Sequence, residues 1–434
     1  MRLLHTSDWH LGVEPGQRSR HEEHRRFLEW LEGVIAERAV DVLIVAGDVF
    51  DTSNPSSDAL QLYYRFLARL AGVRRTGSGA GPSVVVVGGN HDSPSRLDAP
   101  RDVLCALDAH VVGGYSAERD GHAHGDAAGL LVPLTSGGSD VRLVIAAVPY
   151  LNDWRLGVRG FDATTDEQRA SLTECFAGVY SRLADRATAL YPGVPVVATG
   201  HLTCLPRAGD RTTDDDAVPI EINRVGSLGA LGPVIFDPRF QYVALGHIHR
   251  SFPVDPARRV WYSGTPVQVS ADEDADGRRV LLVDIPDAAS EAREPTVEAL
   301  RVPTTRRLVK LRGDLDTVSE RMRTLTWTES ELPPSLFVDI SISGPNVRLG
   351  EVLRERLPTG PGGRATLDQV RTSVARAFSA TGAVMDSLPM GDSITPEQAF
   401  LFAWRTRYGD GVVPPEQILQ RLGRLIAGET HLPR

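Results

Sequence analysis

Five times along this chain an apolar, strand-like run ends in a cluster of Asp, Asn or His. The clusters are Asp8-Trp9-His10, Gly47-Asp48, Gly89-Asn90-His91-Asp92, Gly200-His201 and Gly246-His247-Ile248-His249. Runs such as Val84–Val87 and Val194–Thr199 are near-continuous in Val, Ile, Leu and Ala. That pattern suits strands covered on both faces, which in turn need helices outside them. Functional loops in such sheets lie beyond the carboxyl ends of the strands. The remaining strand candidates are Arg2–His5, Val40–Ala46, Arg142–Ala147, Gln241–Leu245, Val260–Ser263 and Val280–Ile285.

Helical periodicity fills the gaps. Phe27, Trp30, Leu31, Val34 and Ile35 recur at helical spacing, as do Leu60, Tyr63, Tyr64, Leu67 and Leu70. A third helix is predicted over roughly Asp166 to Leu190. Residues 1–290 therefore read as one large α/β unit. A small α+β unit follows at 300–385, with strands Leu308–Leu311 and Leu336–Ile342 and helices Leu315–Leu325 and Val347–Leu357. A helical segment at 393–430 closes the chain, with helices Pro396–Tyr408 and Pro415–Ala427. Composition marks Thr76–Ser83, Ser116–Asp140 and Leu357–Gly363 as loops or insertions, and Asp272–Gly277 as an acidic turn.

Composition narrows the class. No run of about 18 apolar residues occurs, so no membrane span is expected. The first residues read as a strand rather than a signal peptide. Three widely spaced cysteines, Cys105, Cys175 and Cys204, suit a reducing cytoplasm with no disulfide framework. The net charge of −9 argues against coating nucleic acid by bulk attraction, and leaves a nucleic-acid enzyme open.

The clusters carry chemistry of their own. Carboxylate and amide oxygens suit Mg²⁺ or Mn²⁺, and imidazole adds affinity for first-row metals. Two such ions about 3.5–4 Å apart form a clamp for phosphoryl chemistry. Asp8 and His10 can aim at one ion, with His249 completing its shell. Asp48 can bridge both ions. Asn90, His201 and His247 then hold the second. His91 is not needed as a ligand and is placed to give a proton to the leaving oxygen, with Asp92 holding its ring. His122 and His124 share the His-x-His spacing but follow no apolar run, and read as part of a loop. His5, His21, His24, His110 and His431 read as structural or surface residues, and Cys204 as an incidental small residue.

In these strings the chain resembles the calcineurin-like metallophosphoesterase superfamily. Within it the strings resemble the SbcD-type nuclease subunits of bacterial DNA double-strand-break repair. The carriers include Leu4-His5-Thr6-Ser7-Asp8-Trp9-His10-Leu11-Gly12 and Tyr242-Val243-Ala244-Leu245-Gly246-His247-Ile248-His249-Arg250. The resemblance implies a four-layer α/β/β/α sandwich with a small α+β capping domain and C-terminal helices. It implies a Mn²⁺-dependent phosphodiesterase that degrades double-stranded DNA 3′ to 5′ and nicks single strands and hairpins. It also implies a homodimer working with an SbcC-type, SMC-like ATPase. The same two ligand sets and the same catalytic His91 follow from it. Asp51 stands where some members carry a second catalytic histidine, so that role is not carried over. A phosphomonoesterase or nucleotidase on the same fold is the rival reading, and a scaffold with a vestigial site a third.

Two further expectations concern surfaces. Phe400, Leu401 and Trp404, then Ile418, Leu419, Leu422 and Leu425, form apolar faces on the terminal helices. These either pack on their own chain or dock on the partner's coiled coil. Arg18, Arg20, Arg25 and Arg26, with Arg207 and Arg211, either touch DNA phosphates or form a solvated face.

Overall fold

The computed structural model describes residues 1–72, 81–115, 127–135, 140–151, 165–206, 231–286, 294–342, 349–374 and Trp404. The strands and helices begin β1 (Arg2–Thr6), α1 (His21–Glu37), β2 (Val42–Ala46), α2 (Ser57–Gly72) and β3 (Ser83–Val87). α3 (Pro94–Asp98), α4 (Arg101–Cys105), β4 (Ala109–Val112), β5 (Leu131–Leu134), β6 (Leu143–Ala146), α5 (Thr165–Leu190) and β7 (Val196–His201) follow. Then come β8 (Phe240–Gly246), β9 (Phe252–Asp255), β10 (Val260–Tyr262), β11 (Arg279–Asp284) and β12 (Thr296–Arg301). The small unit adds β13 (Leu308–Gly313), α6 (Leu315–Arg323), β14 (Ser335–Ile342), α7 (Leu349–Glu355), β15 (Thr359–Gly360), β16 (Gly363–Arg364) and β17 (Thr366–Val374).

Two six-stranded sheets form the bulk, in the orders β12-β11-β1-β2-β3-β4 and β5-β6-β7-β8-β10-β9. β1 to β4 are parallel to their neighbours in that series, as are β6, β7 and β8. Alternation sorts the side chains. Leu3, Val42, Ile44, Val85 and Val87 join Ile145, Val197, Tyr242 and Ala244 in one core between the sheets. The alternate residues Leu4, Leu43, Val45, Val84 and Val86 pack on Phe27, Leu31, Leu62 and Phe66 of α1 and α2. Leu172, Phe176, Tyr180 and Leu183 of α5 pack on the second sheet, within the first core. The order of layers is helix, sheet, sheet, helix, as the family resemblance implies. Each fully buried Leu, Val or Phe contributes roughly 1.5–3 kcal/mol.

The three strands β13-β14-β17 are parallel, and α6 and α7 fall between them in the chain, so helices and strands alternate here rather than segregate. Their core gathers Leu311, Val318, Met322, Leu336, Val338, Ile340 and Leu353. Asp314 caps α6 by accepting from the Thr317 amide at 2.8 Å. The Leu357–Gly363 stretch expected as a loop forms most of the short hairpin β15–β16, which ends at Arg364.

Every predicted strand is present. The additional strands lacked a signal. β4 and β5 are four residues long, β12 is a largely exposed edge, and β17 is Thr-Leu-Asp-Gln-Val-Arg-Thr-Ser-Val, mostly polar. Met1–Ala375 form one compact unit and Arg376–Arg434 a second. Of the second only Trp404 is described, so the expected terminal helices lie outside the described residues. So do His122, His124, Arg207, Arg211 and His431. No described helix is long and apolar enough to cross a membrane.

Candidate metal centre

The five clusters follow β1, β2 and β3 of one sheet and end or follow β7 and β8 of the other, so one rim gathers residues from both. The first two loops continue side by side beyond their strands. Asp8 donates its amide to Gly47 O at 2.9 Å, His10 to Asp48 O at 3.0 Å, and Leu11 to Val49 O at 2.9 Å. Trp9, between the two candidate ligands, turns into the core. Its indole donates to Thr6 Oγ1 at 3.0 Å, and its ring meets Phe27 and Phe66 edge-on.

The backbone is bent hard here. Asp8, His10 and Asp48 have φ of 52°, 46° and 48°, and His247 has 98°. Such conformations cost of order 1–3 kcal/mol each and persist where the surroundings enforce them, typically at functional sites. Glycine leaves the room. A Cβ on Gly47, itself at φ +91°, would sit 2.1 Å from His201 Nδ1, and one on Gly246 would sit 1.9 Å from Ala46 O.

The ligating atoms converge. Atoms of Asp8, His10 and His249 lie within 4.8 Å of one another, as do those of Asp8, Asp48 and His201, and of His10, Asp48 and His91. His10 Nε2 is 3.2 Å from His249 Nε2 and 3.6 Å from Asp48 Oδ2. His201 Nε2 is 3.3 Å from that same Asp48 oxygen and 3.0 Å from Asn90 Oδ1. His247 Nδ1 is 2.9 Å from the same Asn90 oxygen. Asp8, His10, Asp48, Asn90, His201, His247 and His249 are thus all brought together, with Asp48 between the two groups. Crowded imidazole nitrogens facing carboxylates in a glycine-cleared hollow form a donor set that fits divalent cations.

Outer contacts orient this set. His201 Nδ1 donates to Ala46 O at 2.9 Å, which turns Nε2 toward Asp48 and Asn90. His249 Nδ1 meets Glu273 Oε1 at 2.9 Å. Asp8 accepts from the His247 amide at 2.8 Å and from the Ser7 hydroxyl, which also contacts Ser263 Oγ at 2.8 Å. The sequence reading missed Glu273. Its place in the acidic turn Asp272–Gly277 was visible, but nothing in the chain order says that this turn reaches His249.

Burial and neighbouring charge compete at this site. Burial works to raise Asp48, but the charges of His201, His10 and His91 outweigh it and hold the carboxyl below its ordinary range. Burial works to lower His201, and Asp48 reverses this, pushing the ring up to about 9. Burial and the neighbouring His201 push His247 down to about 3.

Asp92 departs from expectation. Its carboxylate accepts three backbone amides, Val49 and Phe50 at 3.0 Å and Gly89 at 2.9 Å. It ties the Asp48 loop to the Asn90 loop instead of holding the His91 ring. Burial, then the facing charge of Asp48, push it up to about 6. The His91 ring is held by another group, because its Nδ1 donates to Asp51 O at 2.7 Å.

Among the arginines near the first loop, one is corrected. Arg20 is buried, donating to Glu23 at 2.9 Å and to Arg306 O at 3.2 Å. Arg18 is held by Asp368 at 2.9 Å, and Arg25 and Arg26 by Glu22 at 2.8 Å. Buried Arg20 has no route to a phosphate. Its charge faces Glu23 because a cation out of water needs a partner.

This arrangement defines a class of protein. The calcineurin-like phosphoesterase family is matched over residues 1–251, and the chain belongs to that family. It is similar to the SbcD component of nuclease SbcCD from Escherichia coli strain K12, at 33% identity over 79% of this chain and 78% of that protein. The corresponding SbcCD component of Rhodobacter capsulatus is 37% identical over 70% and 72%, and that of Bacillus subtilis 29% over 79% of each.

Proposed function

We propose that this chain is the nuclease subunit of a DNA-repair and recombination complex. It hydrolyses DNA phosphodiester bonds as a two-metal enzyme, 3′ to 5′ from double-strand ends and at single strands and hairpins. The observation that carries this reading is the convergence of seven donor side chains from two sheets on one rim, in a chain whose relatives are nuclease subunits. Nothing favours the phosphomonoesterase alternative. Asp8, His10, Asp48 and His249 would hold one ion, and Asp48, Asn90, His201 and His247 the other. A donor set with four imidazoles suits Mn²⁺ better than Mg²⁺, which prefers oxygen. Kinship with components of SbcCD supports an SbcC-type ATPase partner, a homodimer within a heterotetramer, and a cytoplasmic, nucleoid-associated setting.

A pair of divalent ions supplies charge against the phosphoryl group and activates water. The chain supplies the rest. The His91 amide donates to Asp48 Oδ1 at 2.9 Å, which seats the residue beside the centre. With Nδ1 committed to the Asp51 carbonyl, Nε2 is the atom that holds and delivers the proton to the leaving oxygen. Asp92 keeps the two loops in register.

The test compares wild type with His91→Ala on hairpin and linear duplex DNA in Mn²⁺. The variant is expected to bind metal normally and to lose cleavage by about 10²–10⁴-fold. Equal cleavage by both proteins would remove His91 from catalysis. Activity confined to nitrophenyl monoesters would establish the phosphatase reading instead.

A further inference from the structure

We infer that Glu273 is a positioning residue for the first ion, and that its setting ties that ion to the small sheet. The inference rests on the metal-centre reading above. Glu273 is buried, and Oε1 accepts the Nδ1 hydrogen of His249 at 2.9 Å. A ring that gives this hydrogen away presents its Nε2 lone pair on the opposite side. His249 Nε2 lies 3.2 Å from His10 Nε2, in the group shared with Asp8.

The other carboxylate oxygen is held as well. Oε2 accepts from the Val269 amide at 3.1 Å and lies 3.3 Å from Arg278 Nη1. Arg278 Nη1 also donates to His249 O at 3.0 Å and Thr265 O at 3.3 Å. One buried guanidinium therefore grips both the carboxylate and the backbone of the residue that the carboxylate orients.

The turn around Glu273 is clamped by the small unit. Gln268 Nε2 donates to Glu273 O at 2.8 Å and to Leu308 O at 3.0 Å, while Gln268 Oε1 accepts from the Leu308 amide at 2.8 Å. Leu308 opens β13. From the same strand Lys310 donates to Asp272 at 2.7 Å. A shift of β13 is thereby transmitted to the residue that aims His249.

Calorimetric titration of the full chain with Mn²⁺ tests this. Glu273→Ala is expected to weaken one of two sites about 10–100-fold and leave the other within about twofold. The double variant Glu273→Leu, Arg278→Met removes the buried pair without stranding a charge, and with its fold checked by urea unfolding it should show the same one-site loss. Glu273→Gln retains an acceptor for Nδ1 and should recover most of the affinity. Gln268→Leu should weaken the same site by a smaller factor. In a His249→Ala background Glu273→Ala should add nothing. Wild-type binding of both ions by the Ala and Leu/Met variants overturns the inference. So does a loss that persists undiminished without His249, which would mark a purely structural role. A wild-type chain that binds no pair of ions refutes the metal-centre reading itself.

Discussion

Histidines close together in sequence have different fates here, and burial decides them. His5 lies three residues before Asp8, yet its ring turns between the sheets to Tyr242 OH at 2.9 Å and Leu245 O at 3.2 Å. His24 is fully buried beside Arg20. Burial pushes both rings down to about 3, and for His24 the Arg20 charge adds to it. Each therefore favours the neutral form in the fold. Its stabilising contribution is complete above the unfolded value of 6.5 and is lost as pH falls from there toward 3. The slope is about 1.4 kcal/mol per pH unit for each ring. Urea midpoints in EDTA should fall steeply below about pH 6.5, and His24→Phe should show a shallower fall. An unchanged slope in the variant would show that His24 does not carry the linkage. The candidate ligands were legible at this scale because Asp, Asn and His at strand ends are chemically distinctive. The partner of each ring nitrogen was not, because Ala46 O, Asp51 O and Glu273 are distant in the chain from His201, His91 and His249.

Among the elements, α1 shows how an ionic contact can be misread from sequence. Arg18, Arg20, Arg25 and Arg26 look like one basic patch near the first metal loop. In the fold Arg18 pairs with Asp368, Arg25 and Arg26 with Glu22, and Arg20 with Glu23. Arg20 and Arg306 both meet Glu23, at 2.9 and 2.6 Å, beneath the junction with β13. Burial pushes Arg20 down to about 10, which Glu23 partly offsets. Glu23→Gln leaves two largely buried guanidinium groups facing an amide, and should cost about 3–5 kcal/mol in urea unfolding. A loss under about 1 kcal/mol would mean that the junction opens to water in solution. Strands were legible where apolar runs were long, as in β2 and β3. β17 was not, because its alternation is polar and its pairing with β14 is set by the neighbour rather than by its own residues.

At the scale of the molecule, two sheets deliver candidate ligands to one rim and the small unit grips the turn behind them. The remaining segment, Arg376–Arg434, carries the apolar positions that we propose dock on the partner. A chain truncated after Met390 should keep Mn²⁺-dependent cleavage and lose association with the ATPase in co-purification. Retained co-purification would place the docking surface elsewhere. The sequence by itself determined the layered α/β class and pointed to the seven candidate ligands and to His91 beside them. It could do so because strand burial and metal affinity are written in residue type and short spacing. The tertiary structure alone decided that Asp92 braces loops, that Arg20 is buried, and that Glu273 stands behind His249. Those roles depend on which distant segments meet, and that is set by the packing of whole layers rather than by any local pattern.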